Sequence, residues 1–76
     1  MDRIQYAVAF REMMAVFLPN RANFSLDELD RYQDRYIAFN PEGTKIIVST
    51  ERLEEMSELT RAAGFDPAFC VVEYVS

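Results

Sequence analysis

Histidine and tryptophan are absent from the chain, cysteine occurs once, and glycine occurs twice. Without histidine the commonest general base and metal ligand is missing. The lone Cys70 has no partner for an internal disulfide and no companion for a zinc site. The two glycines, Gly43 and Gly64, lie far apart and neither opens a phosphate-binding loop. No apolar run approaches the roughly 20 residues of a membrane span, and Arg11 and Glu12 interrupt the first apolar region, so nothing reads as a signal peptide. Basic runs are also lacking. The 8 Lys and Arg stand singly against 13 Asp and Glu, a net charge of −5. Nucleic-acid binding needs cations clustered to displace phosphate counterions, and anionic membranes make the same demand. Both partner classes are therefore disfavoured, and the chain reads as a cytoplasmic protein.

What is present is a small folded domain. At 76 residues the chain forms one compact unit, residues 1–76, that buries only about 60% of its unfolded surface. Yet 50% of the residues are hydrophobic, ample for a core and slightly rich for so much unavoidable surface. Some apolar side chains are expected on a face that pairs with something else.

The pattern along the chain predicts an α+β fold. Ile4, Tyr6, Val8 and Phe10 alternate as in a strand, but Tyr6, Phe10, Met13 and Phe17 share a helical stripe with no turn signal between. One helix over Arg3–Leu18 is expected, ended by Pro19-Asn20. Its apolar surface is wide enough to be central or partly at an interface. Ser25 and Glu28 have capping-box spacing, with Phe24 and Leu29 as a hydrophobic staple, and predict a second helix over Leu26–Arg35. Asn40-Pro41-Glu42-Gly43 is a turn between Tyr36–Phe39 and Thr44–Val48, hence a hairpin. Ser49 as a cap and Gly64 as a left-handed stop bound a third helix, Thr50–Ala63, whose inner stripe is Leu53, Met56, Leu59, Thr60 and Ala63. A last strand, Ala68–Val75, is apolar on both faces and should be covered on both, with Cys70 buried within it. The order is ααββαβ. Its simplest sheet is three-stranded and mostly antiparallel, with the first hairpin strand in the middle.

No catalytic constellation emerges. Ser25 and Ser49 read as caps, and the carboxylates lie on polar helix faces where solvation accounts for them, so no enzyme, cofactor or metal is expected. Acidic residues do gather on two helices: Asp27, Asp30 and Asp34 on the second, and Glu54, Glu55 and Glu58 on the third. Either set could meet a basic groove on a partner protein. Arg31 and Tyr32 are residue types that carry binding energy at interfaces, and they complete the candidate contact set. The chain is thus expected to be a non-catalytic protein-binding module, a stoichiometric inhibitor or adaptor, with a small homo-oligomer, such as a homodimer, as the first alternative and a carboxylate-based enzyme as the second. In size and charge alone it resembles inhibitors of host nucleic-acid machinery encoded by phages and mobile elements, anti-CRISPR proteins among them. The charge balance makes one direct prediction: at physiological salt, micromolar protein produces no mobility shift of double-stranded DNA or RNA.

Overall fold

The computed structural model describes residues 2–76. In chain order these form helix α1 (Arg3–Ala22), a single helical turn α2 (Leu26–Leu29), strands β1 (Arg35–Phe39) and β2 (Ile46–Thr50), helix α3 (Met56–Ala62) and strand β3 (Val72–Val75). The class is α+β. The sheet has three strands in the order β2-β1-β3, with β1 antiparallel to both neighbours, as expected from the element order.

The first segment is helical from its start. The Asp2 carboxylate accepts from the Gln5 amide at 2.8 Å and Gln5 Oε1 accepts from the Asp2 amide at 3.4 Å, a capping box that outweighs the strand-like alternation. The helix does not end at Pro19 but runs on to Ala22. A proline inside a helix costs about 3 kcal/mol, and tertiary contacts of the last turn offset that cost. Asn20 Nδ2 donates to the Glu42 carbonyl at 2.9 Å, Asn23 Nδ2 donates to the Pro19 carbonyl at 3.0 Å, and Arg21 forms a two-pronged pair with Glu73 at 2.6 and 3.0 Å.

The second helix is shorter than expected. Ser25 caps it, accepting from the Glu28 amide at 3.3 Å, but after Leu29 the chain passes into a 3₁₀ turn, Asp30–Tyr32. Asp34 then takes a positive φ of 63°, and its amide bonds the Val75 carbonyl at 2.7 Å. Pairing on both sides of β1 claims Arg35 and Tyr36, and the helix yields. The third helix is shortened at its start for the same reason. Ser49 and Thr50, read as cap and first turn, lie in β2 opposite Ile37 and Tyr36. Thr50 Oγ1 instead accepts from the Arg52 amide at 3.1 Å and turns the chain toward a 3₁₀ turn at Leu53–Glu55. Met56 and Thr60 are buried as expected, whereas Leu53, Leu59 and Ala63 are exposed. The far end of α3 is as read: Gly64 (φ 90°) closes it, with Phe65 N bonding Thr60 O and Gly64 N bonding Arg61 O.

Along β1, Ile37 and Phe39 face one side of the sheet, where they form the core with Phe17 and Leu29. Ala38 faces the other, where α3 lies against β1 and β2. The hairpin register shifts between Ala38 and Phe39, leaving Ile47 as a bulge in β2. The turn is built on buried Asn40, whose Oδ1 accepts from the Thr44 and Lys45 amides at 2.8 and 3.2 Å. The last strand is shorter than expected and covered on one side only. Asp66 caps a 3₁₀ turn at Pro67–Phe69, accepting from the Ala68 amide at 2.9 Å, and Pro67 at its first position favours that turn over extension.

The glycines test this account. A β-carbon on Gly43 (φ 76°) would lie 2.8 Å from the Phe17 carbonyl oxygen and 2.9 Å from its ring, whereas one on Gly64 would meet nothing within 4 Å. Both sites pay the positive-φ strain of about 1 kcal/mol for alanine. Gly43→Ala must also push the turn off α1. In chemical denaturation, Gly43→Ala is expected to lose about 1–3 kcal/mol more than Gly64→Ala; equal losses would contradict the docking of the turn on Phe17.

Candidate protein-docking surface

The acidic candidates do not converge. Asp27, Asp30, Arg31 and Asp34 are exposed around α2, on the Phe39 side of the sheet, while Glu54, Glu55 and Glu58 are exposed beside α3 on the opposite side. Arg52 partly neutralises the second set, standing 3.2 Å from Glu54 and 3.8 Å from Glu55. Glu55 is also held by the Thr50 hydroxyl at 3.3 Å. Tyr32 is half-buried against the core, so its ring is engaged within the fold. Arg35, expected to end the second helix, is a strand residue whose guanidinium donates to Ser49 Oγ at 3.3 Å and Glu51 at 3.4 Å. Among the described residues, no three Cys, Asp or Glu side chains gather as metal ligands, and no helix is long and apolar enough to cross a membrane.

The apolar side chains tell more. Among the described residues the buried apolar ones are Phe17, Leu29, Ile37, Ala38, Phe39 and Met56, but 11 large hydrophobic side chains are exposed, 6 of them on α1. The cause is the position of α1. Its C-terminal half is anchored: Phe17 sits edge-on to Phe39 with ring centres 5.9 Å apart, and the Arg21 guanidinium lies 5.1 Å from the centre of the Phe39 ring. Its N-terminal half is held mainly by Tyr6, whose ring lies tilted against Phe69 with centres 5.4 Å apart and whose hydroxyl donates to the Ala68 carbonyl at 3.0 Å.

The side of α1 turned away from the sheet follows from helical periodicity. Ile4, Val8, Arg11, Ala15, Leu18 and Ala22 succeed one another at intervals of four and three, and all six are exposed. Ile4 is 78% exposed and Leu18 58%. Sequence reasoning saw the width of this apolar surface but not which side the core would leave free. Charge divides along the same line. On α1, Arg3, Arg11 and Arg21 face Glu12 alone, a net +2; the rest of the chain sets 5 Lys and Arg against 12 Asp and Glu, a net −7.

The surface is also larger than the mass requires. It measures 5326 Å², against roughly 4,800 Å² for a typical monomer of this mass. The radius of gyration is 12.6 Å, against about 11.4 Å for a compact chain of this length.

Cys70 is half-buried in the segment between the 3₁₀ turn and β3, not buried within a strand. Burial pushes its thiol upward, and the carboxylates of Asp66 and Glu42 add to the shift. A raised thiol pKa disfavours the thiolate in the folded state. The associated stability is present below the ordinary thiol pKa and is lost as pH rises through the raised one. Stability measured from neutral pH into this alkaline range should therefore fall more steeply for the parent than for Cys70→Ser; parallel curves would remove Cys70 from the account.

No protein-family model, curated protein or solved structure matches the chain.

Proposed function

We propose that the protein is a non-catalytic protein-binding module that seats the outward face of α1 in an apolar groove of a larger partner, and so acts as a stoichiometric inhibitor or adaptor. The observation that carries this reading is the exposed row Ile4–Val8–Arg11–Ala15–Leu18–Ala22, apolar but for Arg11, on the side of α1 facing away from its own core. A helix that is apolar all round is normally enclosed, and contiguous exposed apolar surface on a small protein marks an interaction site. Recognition of a helix in a groove reads side chains at this spacing.

The acidic remainder of the molecule supplies the long-range field. Its net −7 outside α1 steers the protein toward a groove set in a basic surface and speeds encounter more than it adds affinity. Proteins that handle nucleic acids carry such surfaces because they must neutralise phosphates. Cytoplasmic nucleic-acid machinery in the host of a phage or mobile element is therefore the partner class this charge favours.

The reading makes a paired prediction. Val8→Lys combined with Leu18→Lys places charges on the docking face and is expected to abolish capture of the partner from host lysate. Both sites are exposed, so melting should stay within about 0.5 kcal/mol of the parent. Changing Asp27, Asp30 and Asp34 to Asn, or Glu54, Glu55 and Glu58 to Gln, should slow association and flatten its salt dependence while capture persists. Full capture by the α1 double variant overturns the docking face, and loss of capture with either acidic set alone moves the site to that set.

A further inference from the structure

The two edges of the sheet differ in protection. At one edge, β2 carries the Ile47 bulge and is preceded by Lys45, devices that discourage a further strand. At the other edge, β3 reads Val72-Glu73-Tyr74-Val75, with no proline, lysine or bulge. The carbonyls of Val71 and Val75 point inward, accepting from Phe39 and Asp34 of the β1 segment at 2.9 and 2.7 Å. By alternation, Val72 and Tyr74 turn their N–H and C=O groups outward. Their side chains are 41% and 52% exposed, on the side of the sheet where α3 lies mainly against β2 and β1.

We infer that this edge pairs with β3 of a second copy of the chain, antiparallel about a two-fold axis at Tyr74, joining two sheets into one of six strands. The strand's own sequence selects that register. A two-fold axis normal to the sheet keeps each side chain on its own face, so it must pass through a residue position. Centring on Glu73 would set two Arg21–Glu73 pairs opposite each other and Val72 against Tyr74, forgoing the tyrosine pair. Centring on Tyr74 sets Tyr74 against its counterpart in a hydrogen-bonded pair, Glu73 against Val75 and Val72 against Ser76. Glu73 brings no free charge to the seam, because Arg21 of the same chain already binds both its oxygens at 2.6 and 3.0 Å. Tyr36 lies 5.0 Å from Tyr74 within the chain. Pairing therefore builds a row of four tyrosine rings, from Tyr36 through the two Tyr74 rings to the second Tyr36, across that side of the sheet. Cross-strand aromatic pairs of this kind are a principal source of sheet stability. The pairing uses a surface distinct from the outward face of α1 and presents two such faces in one dimer.

Sedimentation velocity across a concentration series is expected to show a reversible dimer. Val72→Pro removes an outward donor, and Tyr74→Lys sets two cations on the axis. Each should weaken the dimer by about tenfold or more, with the diluted monomer retaining its circular dichroism spectrum. Register is read separately in a Cys70→Ser background. Paired Cα atoms about 5.5 Å apart suit a disulfide, so Tyr74→Cys should crosslink under mild oxidation far faster than Glu73→Cys or Val75→Cys. A parent that stays monomeric at every concentration overturns the inference. So does a dimer abolished by Val8→Lys with Leu18→Lys but untouched by Tyr74→Lys, which would place the contact on α1. Crosslinking at Glu73→Cys in preference to Tyr74→Cys overturns the register.

Discussion

Phe39 lies fully buried on the central strand, and most of the molecule's tertiary organisation is a response to it. Phe17 and Phe24 approach its ring edge-on, with centres 5.9 and 5.0 Å away, the arrangement that sets positive ring edges against negative faces. The Arg21 guanidinium lies 5.1 Å from the centre of the same ring and pairs with Glu73 of β3. One side chain on β1 thereby receives the end of α1, the loop after it and, through Arg21, the neighbouring strand. The hairpin turn joins the same assembly, since Gly43 packs directly against Phe17.

Concentrating the contacts there leaves the rest of α1 lightly held. Twenty helical residues extend about 30 Å, longer than the sheet can cover, so the N-terminal half rests chiefly on Tyr6 and its contacts with Ala68 and Phe69. A chain of this size is stabilised by only about 4–11 kcal/mol in total. Side chains such as Ile4 and Val8 add nothing to that margin when they face water. Their energetic contribution is realised only when another surface covers them, at about 25 cal/mol per Å². The net charge of −5 disfavours non-specific association and leaves pairing to specific contacts.

The outward face of α1 and the free edge of β3 have different physical characters. The helix offers side chains without unpaired backbone groups, so it suits a groove of matching shape and tolerates many sequences in its partner. The strand offers unpaired N–H and C=O groups, which demand another strand, and its register filters partners by sequence. The carboxylates of α2 and those beside α3 lie on opposite sides of the sheet, so they act as a distributed field and not as one contact.

Much of the fold was legible in local chemistry. The helical stripe from Tyr6 to Phe17, the Ser25 cap, the Asn40–Gly43 turn and the Gly64 stop are each set by neighbours within a few residues, and the antiparallel sheet with β1 central follows from the order of these signals. The sequence alone also determined the excess of apolar residues over what 76 residues can bury, and the separation of positive α1 from its acidic surroundings. Helix lengths were a different matter. Leu26–Arg35 lost its second half because Asp34 and Arg35 bond to Val75 of β3, and Thr50–Ala63 lost its start because Thr50 pairs with Tyr36 of β1, each partner distant in sequence, while α1 passed Pro19 because Arg21 and Asn20 found partners 52 and 22 residues away. Which side of an all-round apolar helix stays open, and which sheet edge stays unpaired, depends on how much of each surface the other elements reach. No local pattern encodes that quantity, and only the tertiary structure decided it.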